Sequence, residues 1–123
     1  MFKIDVMSRI PVYEQIISQT EKFVLMNILN PGDKFPSVRS LSLELSVNPN
    51  TIQKAMAELD RLGIVISVPG KGSFISDDAM ERILERKRNN LTELKSTIKE
   101  MALAGIEKSE IIEMVESVYS GTT

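Results

Sequence analysis

The side chains best suited to chemistry form one short run, Asn48-Pro49-Asn50-Thr51-Ile52-Gln53-Lys54, with Ser37, Arg39, Gly70 and Lys71 on either side of it. Asn50, Thr51 and Gln53 can hydrogen-bond base edges or phosphate oxygens, and Lys54 can neutralise a phosphate. Asn48 is an N-cap type and Pro49 suits the first helical position, so the run opens a helix whose N-terminus itself attracts anionic oxygen. Arg39 falls in the first turn of another helix, where its charge opposes the helix dipole by about 0.3–1 kcal/mol. That placement fits a phosphate or guanine contact, with a salt bridge to Glu44 as the alternative. Gly70-Lys71-Gly72 combines close backbone approach with a cation at a turn, which suits a phosphate and equally suits a plain hairpin. The chemistry is recognition of a polyanion; an ordinary solvated helix face is the competing reading.

Bond-making chemistry is disfavoured. The 123 residues include no cysteine and no histidine, removing disulfides, thiolate ligands, the commonest general base and the commonest transition-metal ligand. No enzyme, metal or cofactor is expected: Asp77-Asp78 and the later glutamates lack EF-hand spacing, and the scattered methionines suit core filling. The net charge of −2 divides into +1 over residues 1–76 and −3 over residues 77–123. Affinity for nucleic acid must then come from a few placed groups, doubled in a dimer. No run reaches the roughly 20 apolar residues of a membrane span, and Met1-Phe2-Lys3-Ile4-Asp5 is not a signal peptide, so a cytoplasmic location without membrane contact is expected.

The elements that must position these groups follow from periodicity. Pro11 to Asn27 reads as a first helix with Val12, Ile16, Phe23 and Met26 on one face, closed by Asn30-Pro31-Gly32-Asp33. Ser37 caps a short second helix with Val38, Leu41 and Leu45 inward. The third helix carries Ile52, Ala55, Met56, Leu59 and Leu62, and ends at Gly63. Ile64 to Val68 and Ser73 to Ser76 flank Pro69-Gly70-Lys71-Gly72 as a β-hairpin. Residues 77–104 predict a long helix in which Leu84, Leu91 and Ile98 recur every seven residues, beside Met80, Leu94 and Met101 on a second line broken by Lys87. Ile106 to Tyr119 predicts a final helix, with a frayed end at Ser120-Gly121-Thr122-Thr123.

The fold class expected is mainly α with a small β-hairpin: a winged helix-turn-helix DNA-binding domain over 1–76, followed by a two-helix dimerisation or effector tail over 77–123. A helix-turn-helix pair alone is common in proteins that never touch DNA; the hairpin directly after it makes the set specific. The heptad stripe of Met80, Leu84, Leu91, Leu94, Ile98 and Met101 asks for a partner helix, and a second copy is the natural one.

Four spaced motifs, Pro36-Ser37-Val38-Arg39-Ser40-Leu41, Val47 to Ala55, Leu59-Asp60-Arg61-Leu62-Gly63 and Gly70 to Ile75, resemble the GntR family of bacterial repressors. The likeness covers roughly residues 10–76. The Pro11-Val12-Tyr13-Glu14-Gln15-Ile16 opening, the Asn-Pro-Asn-Thr helix start and the short tail resemble its YtrA subfamily. The resemblance implies a homodimeric repressor of an inverted-repeat operator on double-stranded DNA, serving a transport operon, with a two-helix dimerisation tail. It implies DNA contacts at Ser37, Arg39, Asn48, Asn50, Thr51, Gln53, Lys54, Gly70 and Lys71. The sequence departs at Val68-Pro69, where many members are basic, and at Ser42, often alanine. Two other classes remain open, a winged-helix module for protein contacts and a regulator that senses a small-molecule effector.

Overall fold

A computed structural model describes residues 1–121. The chain runs α1 (Val12–Leu25), β1 (Lys34–Phe35), α2 (Val38–Leu45), α3 (Pro49–Arg61), β2 (Val65–Val68), β3 (Gly72–Ile75), α4 (Ala79–Leu103) and α5 (Lys108–Ser120). It divides into two compact units, Met1–Glu85 and Arg86–Thr123.

In the first unit the apolar stripes close on a single core. Ile16, Leu41, Ile52, Leu59 and Ile64 have no exposed surface, and burial at this level contributes about 1.5–3 kcal/mol per side chain. The stripe on α3 is the one expected, with Ile52, Ala55, Met56 and Leu59 buried. On α1 the buried line is instead Ile16, Ile17, Thr20 and Val24. Met26 is a correction to the expected face: the helix stops at Leu25, Asn27 turns left-handed at φ 59°, and Met26 is left exposed.

The N-terminal arm joins this core through Phe2, with Ile4 packed against it, which the periodicity did not show. Phe2 is buried edge-on to Phe23 and Phe35, with ring centroids 5.3 and 5.9 Å apart, a geometry favoured by the ring quadrupoles. Two glutamines one turn apart on α1 clamp the arm. Gln19 accepts from the Lys3 N–H and donates to its carbonyl. Gln15 accepts from the Asp5 N–H and donates to the carbonyls of Asp5 and Ile10. Gln15→Leu removes all three bonds, each worth about 1 kcal/mol. Trypsin cleavage after Arg9 in the folded protein should then accelerate at least about fivefold; an unchanged rate would mean that Phe2 and the Gln19 clamp hold the arm without Gln15.

The sheet has three antiparallel strands in the order β1-β3-β2, one more than the expected hairpin. Lys34 pairs with Phe74 and Phe35 with Ser73, while β2 and β3 run from Val65 opposite Ile75 to Val68 opposite Gly72. β1 has only two residues before Pro36, too short to show alternation, yet it delivers Phe35 to the core.

The first turns of α4 pack in the first unit, so the compact unit extends past residue 76 to Glu85. Ser76 donates its hydroxyl to the Gly63 carbonyl and its N–H to the Ile64 carbonyl. Ala79 and Ile83 are buried, and Met80 packs half-buried against the same core. Met80 therefore serves intramolecular packing at the head of the expected dimerisation stripe. Arg82 pairs with Asp78 at 3.0 Å, and this guanidinium holds the Asp78 carboxyl below its ordinary range. The second unit contains the remainder of α4 and α5, and α5 has no buried residue.

Candidate nucleic-acid interface

α2 and α3 form the helix-turn-helix through a tightly specified joint. Ser37 accepts from the Ser40 N–H at 3.0 Å, and Asn48 accepts from the Asn50 N–H at 2.8 Å, so both helices begin on capping side chains. Between them Ser46 is left-handed at φ 54°. Ser42 donates to the Val47 carbonyl at 2.6 Å, and the Val47 N–H returns to the Ser42 carbonyl. Ser42 is thus the latch of the turn.

With α3 fixed along its apolar stripe, its opposite face is open. Asn50, Gln53 and Lys54 are exposed and Thr51 half-exposed, all within the first two turns. Ser37, Arg39 and Asn48 are exposed at the starts of the two helices. Arg39 makes no ion pair among the described residues, so the Glu44 bridge does not form. Capping leaves the Ser37 hydroxyl proton and the Asn48 amide N–H groups able to donate.

The wing is β2, β3 and their turn. The Lys71 N–H bonds the Val68 carbonyl at 3.0 Å, and Gly70 sits at φ 76° between them. Pro69 followed by a glycine of positive φ is the chemistry of a type II turn. Pro69 therefore shapes the tip, and Lys71 is left exposed beside it.

Residues 12–75, α1 through the wing, match the family model described as bacterial regulatory proteins, gntR family. The chain is 40% identical to the HTH-type transcriptional repressor YtrA of Bacillus subtilis over 96% of its own length and 92% of that protein's. The chain belongs to the GntR family. The alignment with YtrA includes the tail, so this GntR protein is YtrA-like along nearly its whole length. A GntR family transcriptional regulator from Listeria monocytogenes superposes at TM-score 0.72 with 35% identity, covering 93% of this chain and 98% of that one. The AraR DNA-binding domain in complex with operator ORE1 superposes at TM-score 0.52 with 25% identity, over 62% of this chain and 93% of that one. The relatives are DNA-binding transcription regulators, and this GntR protein is one of them rather than an enzyme. No helix among its described residues is long and apolar enough to cross a membrane.

Two side chains next to the expected site residues were not legible in the sequence of this GntR chain. Tyr13, at the start of α1, lies under Lys54, whose Nζ is 3.9 Å from the ring centroid. Pro11, Val12, Tyr13, Val47, Asn50, Thr51 and Lys54 line an open depression of about 640 Å³ between the starts of α1 and α3. Tyr13 donates to Glu14 at 3.2 Å, and that bond with the Glu14 charge, followed by partial burial and the more distant Glu58, raises the phenol above its ordinary value. The second is Lys34 on the edge strand. Its side chain runs along the wing, so a Cβ on Gly72 would stand 3.2 Å from the Lys34 Cε. The wing thus carries two ammonium groups, one from the tip and one from a strand distant in sequence.

Proposed function

We propose that the chain is a transcription repressor that binds an inverted-repeat operator as a homodimer. α3 enters the major groove and the wing tip lies along the adjacent backbone. In this reading Asn50, Thr51 and Gln53 meet base edges. Ser37, Arg39, Asn48, Lys54, Gly70 and Lys71 hold the phosphates or, for Arg39, a guanine. The repressor named YtrA and the operator complex of AraR support the DNA half of the proposal. The family resemblance extends it to control of a transport operon.

The observation that carries the dimer is the apolar surface beyond Ile83. Leu84, Leu91 and Leu94 are 48, 59 and 52% exposed, Met101 is also exposed, and Ile98 is half-buried. On α5 Ile112, Met114, Val115 and Val118 are exposed as well. Such surface on a chain with a net charge of only −2 calls for a partner. Two copies about a twofold cover it and present two α3 helices to a palindrome. In this reading the tail serves self-association.

The test is selection from a randomised duplex pool at about 50 and 200 mM salt, with Arg39→Ala in parallel. An enriched inverted repeat is expected. Arg39→Ala should lose about 1–3 kcal/mol per half-site and relax one position of it. A folded protein that enriches no sequence would overturn the reading in favour of a winged-helix module for protein contacts.

A further inference from the structure

Lys54 stands among carboxylates yet pairs with none of them. Glu58 is four residues on, one turn along the same face of α3, and Glu14 neighbours the tyrosine under its ammonium. Lysine and glutamate four apart on a helix readily form an ion pair. Among the described residues, however, Lys54 enters no side-chain ion pair, while Arg61 pairs with Glu58 and Arg82 with Asp78. Arg61 reaches back to Glu58 with both Nε and Nη2, engaging both carboxylate oxygens, the fork geometry that lysine cannot match. Glu14 accepts from the Tyr13 hydroxyl. Glu58 and Glu14 are thus each engaged by another group, and the ammonium rests on a ring face instead.

We propose that Arg61, with Tyr13, is a positioning residue for DNA binding: it withholds Glu58 from Lys54 so that the ammonium meets phosphate with its charge uncompensated. This rests on the DNA-binding reading above, and it assigns a role to the C-terminal end of α3, two turns from the residues expected in the groove. A lysine already paired with glutamate must give up that pair before it can release a counterion from DNA. A lysine over an aromatic ring keeps its charge, because the cation–π contact is an attraction without neutralisation. The negative field of Glu58 reaches Tyr13, among the causes that raise the phenol's pKa. Lys54 and Glu58 are four residues apart on α3, the spacing at which helical side chains meet, so the carboxylate can capture Lys54 once Arg61 releases it.

The experiment measures binding of the full chain to a fluorescein-labelled duplex of mixed sequence, by anisotropy, across about 50–200 mM salt. Lys54→Ala should lower the log–log salt slope by about 0.9 per bound protomer. Arg61→Ala should weaken binding roughly two- to fivefold, the scale of an exposed ion pair, and lower the slope in the same direction. Adding Glu58→Gln to Arg61→Ala should restore both, while Arg61→Ala in a Lys54→Ala background should cost nothing further. Arg61→Ala with Asp60→Asn is the control: it has the same net charge as the rescued variant, but Asp60 lies on another face of α3, and no rescue is expected. An Arg61→Ala loss that Glu58→Gln leaves in place, or that Asp60→Asn restores equally, overturns the proposal in favour of a direct Arg61 contact or a net-charge effect. So does an unchanged Arg61→Ala. Failure of the DNA-binding reading shows differently, as a wild-type chain without salt-dependent binding.

Discussion

Replacing Leu91 and Leu94 together by glutamate should convert the protein to a monomer and lower its affinity for an inverted-repeat duplex by roughly 10²- to 10⁴-fold. The two side chains lie three residues apart on one face of α4, and both are more than half exposed in the single chain. In a dimer each would bury surface worth about 1.5–3 kcal/mol, and the variant would bury a carboxylate there instead, a penalty larger than the lost contact. The DNA effect exceeds the loss of any one contact because a dimer places its second half-site at high effective concentration, and a monomer forfeits that gain entirely. Two controls isolate the cause. Affinity for a duplex with one half-site should hardly change, and so should the thermal transition of Met1–Glu85, because neither leucine contributes to that unit's core. Sedimentation showing a dimer at micromolar concentration would remove the stripe from the interface and with it the proposed arrangement on DNA.

The stripe also shows where sequence reasoning overreached. Met80 continues the heptad line of Leu94 and Met101, yet packs on the core of the first unit. Periodicity records that a residue is apolar on a given face; it does not record what covers that face. The first two turns of α4 and the later ones share one pattern but meet different surroundings. Pattern was most reliable where one helix faces one core, as on α3. Its strong stripe and Asn48-Pro49 start gave the element and its orientation together, and the capping bond of Asn48 is the one those residue types imply. The same reasoning placed Ser37 at the start of α2, where it caps as expected.

What escaped was long-range or depended on single side chains. β1 is two residues long and is a strand only because β3, from the other side of the helix-turn-helix, pairs with it. The clamp on the N-terminal arm uses two glutamines whose spacing is significant only once α1 is folded against an extended chain. Lys34 and Tyr13 joined the site in the same way, Lys34 through strand pairing and Tyr13 through the packing of α1 against α3. The open polar face of α3 was legible because Asn50, Thr51, Gln53 and Lys54 stand close together on one helix.

Gly63 lies between the end of α3 and the root of the wing and bonds the start of α4 through Ser76, and Gly63→Ala should destabilise the first unit more than the same change at Gly70. Its φ is 76°, a left-handed value that costs an L-residue about 1–2 kcal/mol. Gly70 has the same φ of 76° with nothing within 4 Å of an added Cβ, so Gly70→Ala measures that conformational cost alone. For a unit of this size the cost corresponds to a fall in Tm of roughly 5–15 °C. At Gly63 the new Cβ would also meet Cζ and Nε of Arg82 at 3.3 Å. The guanidinium must move, and it is the group that pairs with Asp78 at the head of α4. The drop in Tm for Gly63→Ala should therefore exceed that for Gly70→Ala, and the excess should vanish when both are compared in an Arg82→Ala background. Equal drops with Arg82 present would mean that the side chain gives way freely and that the Arg82 contact adds nothing to the joint. An excess confined to the Arg82 background would show that the end of the recognition helix, the root of the wing and the start of the tail are held by one packed contact. The angle of the wing to α3, and with it the proposed spacing of wing and groove contacts, then rests on a glycine outside the proposed contact set.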